Sequence, residues 1–271
     1  MKKITDVSEL RLIQMDILSY VDKVCRENGI KYSLAGGTLI GAVRHKGYIP
    51  WDDDIDIMLV REEYEKLVDI LSANDSDNNI PYKILTHSKE KRFLYPFAKV
   101  VDSRTILKED VRGDMDFGID IDIFPIDSIP CAERKTDRII KWMRCLYDML
   151  TIKRLKVSSH RSIWKNITII LSRFVLSPIS CHWIINKMER KAISCVTDKP
   201  CRRACLVWGY GKKEVVPYSV HESHIELPFE DRKFMAIADY HTYLSNVYGN
   251  YMQLPPEEKR ISHHCFEAYW K

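Results

Sequence analysis

The chain has 271 residues, 45% hydrophobic and 10% aromatic, a composition that excludes an intrinsically disordered protein. With 10 Gly and 11 Pro it is neither fibrous nor low-complexity, and its length suits one large domain or two small ones. The net charge of +4 is unevenly placed: residues 134–191 hold 14 Lys/Arg against three Asp/Glu, a local +11 that leaves −7 for the rest.

The first residues, MKKITDVSELRLIQ, carry Asp6 and Glu9 where a secretion signal would have an apolar core. Cys25, Cys131, Cys145, Cys181, Cys195, Cys201, Cys205 and Cys265 are scattered along a chain long enough to bury its own core, and they read as reduced thiols of a cytoplasmic protein. Cys195, Cys201 and Cys205, with His221 and His224 downstream, are candidate zinc ligands, although the short C-x2-C spacing is missing. No apolar run reaches the ~18 residues of a membrane span. The nearest, Ile167 to Ile185, is broken by Arg173, Pro178 and His182.

In chain order, Asp6 and Glu9 have capping-box spacing, and Leu10, Ile13, Ile17, Val21 and Val24 recur at helical intervals. Gly29 supplies the stop. A short β-prone run from Ile30 to Ala35 leads into Gly36-Gly37-Thr38, where two glycines suggest that something approaches the backbone closely. A strand over Ile55 to Val60 and a charged helix over Glu62 to Leu71 follow, then a polar loop from Asn74 to Asn79. Further strands are expected at Tyr82 to Leu85, Phe97 to Val101 and Ile119 to Phe124. No glycine occurs between Gly118 and Gly209, and that Lys-, Arg-, Leu- and Ile-rich stretch reads as mostly helical. Near the end, β-prone segments around Val215 and Ile225 precede a helix expected over Met235 to Tyr248, which Gly249 and then Pro255-Pro256 terminate.

The chemistry concentrates in two strands. In Ile49-Pro50-Trp51-Asp52-Asp53-Asp54-Ile55-Asp56-Ile57, strand alternation puts Asp54 and Asp56 on one face about 7 Å apart, with Ile55 and Ile57 turned into a core. Asp120 and Asp122 repeat this against Ile119, Ile121 and Ile123. Carboxylates sharing a face repel unless a proton or cation lies between them, and a hard divalent ion suits them. Asp is a poor strand former, which argues against a merely solvated face. An EF-hand fits Asp52, Asp54, Asp56 and Glu63 by spacing, but its obligatory glycine is replaced by Ile57.

The segment Leu34 to Asp56, with its Gly-Gly-Thr turn and Asp-x-Asp strand, resembles the nucleotidyltransferase superfamily and, more closely, the LicD family of phosphocholine transferases and their relatives. Phe97-Ala98-Lys99-Val100, Asp120 to Asp127, and Tyr248 to Pro256 with Lys259, Arg260 and His263 extend that resemblance over the front half and the tail. It implies an α/β (α+β) fold: a nucleotidyltransferase-like mixed sheet with flanking helices, a catalytic core over 1–130, a basic helical insert over 131–205, and a C-terminal part over 206–271 that completes the core. It implies transfer of phosphocholine or a similar phospho-alcohol from a CDP-activated donor to a hydroxyl of a cell-surface glycan. One or two Mg2+ (or Mn2+) would lie on Asp54, Asp56 and Asp122, with Asp120 the alternative third ligand. Asp122 doubles as base for the acceptor hydroxyl. Gly36, Gly37, Thr38, Arg44, His45, Lys99, Arg260 and His263 are the candidate substrate contacts. The rivals are a nucleotidyltransferase that moves NMP to a small acceptor and a non-catalytic basic adaptor.

Ile163 to Leu176 mixes Trp164, Phe174 and long aliphatics with Lys165 and Arg173, as an interfacial segment on an anionic bilayer does. A lipid-linked glycan acceptor would give peripheral contact with the inner face of the membrane a purpose. No compact nucleic-acid motif accompanies the charge, so nucleic acid is not an expected partner.

Overall fold

A computed structural model describes every residue except 76, 78, 110, 111, 113, 114, 158–160, 196–199, 209 and 261–265. In it a short strand β1 (Lys2–Ile4) precedes helix α1 (Val7–Glu27), whose first turn is capped by Asp6 Oδ1 accepting from the Ser8 N–H at 2.8 Å. Gly29, at φ +65°, turns the chain out of the helix. There follow β2 (Ser33–Leu34), α2 (Gly36–Arg44), β3 (Asp56–Val60), α3 (Arg61–Asn74), β4 (Tyr82–Leu85), β5 (Ala98–Asp102), β6 (Thr105–Glu109) and the ten-residue β7 (Asp120–Ile129). Helices α4 (Glu133–Arg154), α5 (Ile163–Val175) and α6 (Cys181–Ile193) come next. The chain ends in β8 (Arg202–Ala204), β9 (Val216–Pro217), β10 (His224–Phe229), β11 (Arg232–Ile237), α7 (Tyr240–Tyr248) and β12 (Phe266–Trp270).

The main sheet runs β2-β3-β7-β5-β4, with β8 and β9 attached to the far half of β7. Among the described residues only β3 and β7 pair in parallel, placing Asp56 opposite Asp122, Met58 opposite Phe124 and Val60 opposite Ile126. The mixed sheet with flanking helices is the nucleotidyltransferase-like α/β architecture the sequence implies. Ile57, Ile121 and Ile123 lie on its opposite face and are fully buried with Ile17, Leu18 and Val21 of α1 in the core cluster. A small antiparallel sheet, β1-β12-β6, joins both chain ends to the middle of the front half. None of its strands is expected from local pattern, because each is short and finds its partners far away in sequence.

Two expectations are corrected. Met235 belongs to β11, so the last helix begins only at Tyr240. The β10–β11 hairpin turns through Glu230 at φ +56° and Asp231, without the glycine that usually announces such a turn. The thiols are not all reduced either: Cys131 and Cys201 form a disulfide. The register explains it, since β7 and β8 pair with Ile129 opposite Arg202, and both cysteines sit just beyond those ends with Cα atoms 5.2 Å apart. Cys201 is therefore not available to a zinc site with Cys195 and Cys205.

Arg61 anchors the start of α3 to β7 through two hydrogen bonds to Asp127, at 2.7 and 2.9 Å, with both side chains buried. Burial pushes the Asp127 carboxyl up, and the guanidinium opposes that shift. Removing one partner strands the other charge, so Arg61→Met should cost about 3–5 kcal/mol in denaturant unfolding. The double variant Arg61→Met with Asp127→Leu should recover most of it. A single variant within 1 kcal/mol of wild type, by the same order-of-magnitude scale, would contradict this anchoring role.

Candidate active site

The turn Gly36-Gly37 is stitched to the start of β3 from both sides. The Ala35 N–H donates to the Asp56 carbonyl at 2.9 Å, and the Asp56 N–H donates to Thr38 Oγ1 at 2.9 Å. Gly36 has φ +52°, and a Cβ there would stand 2.9 Å from Asp56 Oδ2; a Cβ on Gly37 would overlap the Asp52 carboxylate. The two glycines are thus what lets a helix start press against two carboxylates. The α2 N-cap, Ala35, has no side chain that caps the first turn.

Above this turn opens a cavity of about 330 Å³. Gly36, Gly37, Asp52, Asp54 and Asp56 make one end, and Met58, Phe124 and Ile126 the floor. Trp51, Trp208, Tyr210, Tyr243 and Glu214 complete the lining with Tyr248, whose hydroxyl lies 3.5 Å from where a Gly36 Cβ would be. Four carboxylates line it, and among the described lining residues there is no Lys or Arg. Asp122 stands beside Asp56 by register, on the β7 face that carries Phe124 and Ile126 into the floor. Burial raises the Asp56 pKa well above its ordinary value, and Asp54, Asp122 and Asp52 raise it further.

The acidic loop is held from α1. Arg11 donates from one nitrogen to the carbonyls of Ile49, Pro50 and Asp52 at 3.1, 3.1 and 2.7 Å, and Gln14 donates to that of Asp53 at 2.9 Å. Neither residue is singled out by sequence, because each acts across some forty positions.

The expected substrate contacts divide. Gly36 and Gly37 line the cavity with Asp54 and Asp56. Thr38 works behind it, its hydroxyl committed to the Asp56 backbone. Lys99 is buried on the neighbouring strand, with Nζ 2.6 Å from Asp120 and 2.6 Å from Asp122 and close to the rings of Tyr95 and Phe117. It neutralises the β7 carboxylates instead of reaching into the cavity. Arg44 donates to the carbonyls of Tyr251 and Gln253 at 2.6 and 3.3 Å, tying the tail to α2. His45 lies edge-on to Trp51 at 6.3 Å, and burial with Arg44 keeps its imidazole below the ordinary pKa. Arg260 places its guanidinium 5.7 Å from the Trp51 ring and so stands behind the cavity wall. His263 lies outside the described residues.

Among the described residues no three ligating side chains form a ready-made metal cage. The chemistry of the donor set nevertheless fits a hard divalent ion: oxygen ligands only, a half-buried Asp56 surrounded by like charge, and glycines that keep its carboxylate approachable. Lys99 pairs equally with Asp120 and Asp122; Asp120 is the less suited third ligand because the register puts Asp122, not Asp120, beside Asp56.

A family model described as LicD/FKTN/FKRP, nucleotidyltransferase domain, matches residues 29–144. The lipopolysaccharide cholinephosphotransferase LicD of Haemophilus influenzae is 33% identical over 279 aligned positions, covering 99% of each chain. The chain belongs to the LicD family. Shorter matches include an uncharacterized protein of Rickettsia prowazekii, 53% identical over 45 residues and 17% of each chain, and the human ribitol 5-phosphate transferase FKRP, 46% identical over 44 residues, 16% of this chain and 9% of that one.

Glu214 is the cavity residue that the sequence least announces. It is buried at the end of a 3-10 turn, Gly211–Glu214, and among the described residues its Oε2 has no hydrogen-bond partner. Burial pushes its pKa from 4.5 up to about 8, opposed by a hydrogen bond from Tyr243. The folded protein therefore keeps a proton that the unfolded chain releases, and the linked stability is full below pH 4.5 and lost as pH rises through about 8. Glu214→Gln should flatten that decline in thermal melts taken across the same range. An unchanged decline in the variant would contradict the buried, protonated carboxyl.

Proposed function

We propose that this enzyme transfers phosphocholine, or a similar phospho-alcohol, from a CDP-activated donor to a hydroxyl of a cell-surface glycan, with Mg2+ as cofactor. The observation that carries the reading is the acidic cavity pressed against the Gly36-Gly37 turn. The match to a lipopolysaccharide cholinephosphotransferase along nearly the whole chain supports it. One or two Mg2+, with Mn2+ as a substitute, would be held by Asp54, Asp56 and Asp122, and would offset the charge of the donor's pyrophosphate.

The chain's own residues do the rest. The glycine turn lets the donor phosphates approach the backbone at the start of α2. Thr38 and Arg11 fix the carboxylates from behind. Lys99 balances the charge of Asp120 and Asp122 without occupying the cavity. Asp122 accepts the proton as the acceptor oxygen bonds to the alcohol-bearing phosphorus, the phosphoanhydride bond breaks and CMP leaves.

Asp54→Asn and Asp56→Asn should each lower turnover by about a hundredfold or more, since charge stabilisation in the transition state is lost. Metal-free thermal stability should hold or rise, because a like charge is removed. The assay incubates the protein with CDP-choline, Mg2+ and a glycan acceptor and follows CMP. Release of phosphocholine with the cytidylyl group passed to the acceptor, or variants that keep more than about a tenth of wild-type turnover, would overturn the reading.

The acceptor is proposed to be lipid-linked and reached from the inner membrane face. Every residue of α5 is at least partly exposed, including Trp164 at 75% and Phe174 at 80%. This apolar helix lies in the stretch that carries the +11 charge, the pairing an anionic bilayer selects. Arg173 is engaged with the Ile152 carbonyl at 3.1 Å, so the aromatic residues, rather than that cation, are the better handles. No helix among the described residues is long and apolar enough to cross a membrane. Replacing Trp164 and Phe174 together by Ser should weaken binding to phosphatidylglycerol vesicles by about a hundredfold, while turnover on a soluble acceptor holds. Unchanged vesicle binding would remove the docking role.

A further inference from the structure

The aromatic end of the cavity has a use that the aspartate end does not explain. Trp208, Tyr210 and Tyr248 meet at steep angles: Trp208 and Tyr210 with centroids 6.4 Å apart at 49°, Tyr210 and Tyr248 5.7 Å apart at 70°. Phe124 backs Trp208 at 4.9 Å and 62°. Rings set this way do not stack in parallel, and together they line the cavity beside Glu214 with edges and faces. Glu214 closes the same end, buried and with Oε2 unpartnered among the described residues. A planar base would be served by parallel faces and hydrogen-bond donors. Angled electron-rich faces around a buried carboxyl, in a cavity whose described lining has no Lys or Arg, suit a bulky organic cation.

Resting on the phosphocholine reading, we propose that Trp208, Tyr210, Tyr248 and Glu214 form the site for the quaternary ammonium end of the transferred group and set the specificity for choline over uncharged alcohols. The aspartate end then holds the phosphates, and the cation lies under Tyr248. The hydroxyl of Tyr248 lies 3.5 Å from where a Gly36 Cβ would be, so it marks the junction between the two ends. The trimethylammonium charge lies against the aromatic rings, and its approach favours release of the Glu214 proton to solvent, leaving one carboxylate as its counter-ion with no covalent change.

The test compares binding of CDP-choline with that of its carbon isostere, CDP-3,3-dimethylbutanol, which has the same shape without the charge. Both are titrated calorimetrically into the full chain with Mg2+ present. Wild type should prefer the cation by about tenfold or more. Glu214→Gln should reduce that preference to about twofold while retaining affinity for the isostere, and Tyr210→Leu, at a more exposed wall position, should reduce it in the same direction. Equal affinity of wild type for the two donors, or a Glu214→Gln protein that keeps the full preference, overturns the proposal. CMP release separates the two readings. A protein that prefers the cation but releases no CMP retains this site and loses the transfer reading. One that turns over both donors equally retains transfer and loses this site. Failure to bind either donor overturns both.

Discussion

Asp56 and Asp122 stand side by side across the one parallel pairing of the main sheet among the described residues, one ladder spacing of about 4.8 Å apart. Their backbones are locked by the ladder and by the Thr38 hydroxyl, and both side chains are half-buried, so the backbone holds the two carboxylates together. Asp54 and Asp52 add to the same field from the lead-in to the strand. The fold therefore holds an electrostatic cost in place, and the surrounding structure serves to maintain it. Arg11 and Gln14 clamp the acidic loop, Lys99 offsets the β7 side, and Gly36 and Gly37 let the helix start close on the carboxylates. A cation is the simplest relief for such an arrangement.

The cavity has two chemically distinct ends because two distant parts of the chain build it. The front half contributes the glycine turn and the carboxylates. The returning chain after α6 contributes Trp208, Tyr210 and Glu214, and α7 contributes Tyr243 and Tyr248. β8, held to β7 with Asp127 opposite Ala204, brings that returning segment back to the sheet, and the Cys131–Cys201 bond closes its base. The ion pair of Arg61 with Asp127 steadies the same part of β7 from the other side.

The aspartates and glycines were legible because their meaning is local. Strand alternation assigns Asp120 and Asp122 a shared face before any partner is known, and two glycines before an apolar turn signal close approach. That the two strands are parallel neighbours follows only from the β3–β7 register, since strand alternation says nothing of pairing. Lys99 is less legible for a reason of register: the β5–β7 pairing places it opposite Asp122, and sequence alone leaves its destination open. Glu214, Trp208 and Tyr210 escaped because they follow a long helical stretch, in a segment whose purpose depends on where it docks. Met235 was assigned to a helix because the hairpin turn at Glu230-Asp231 lacks the usual residues.

Clustered, half-buried carboxylates at the β3–β7 junction should make the protein a binder of divalent cations. Thermal unfolding of the full chain in increasing Mg2+, with no donor present, tests it most directly. Binding to the folded state alone raises the midpoint with concentration, by about 2.7 kcal/mol of stabilisation at a hundred times the dissociation constant. The account predicts such a rise for wild type and its loss in Asp56→Asn. A midpoint that ignores Mg2+ and Mn2+ alike, or that rises equally in the variant, would contradict it.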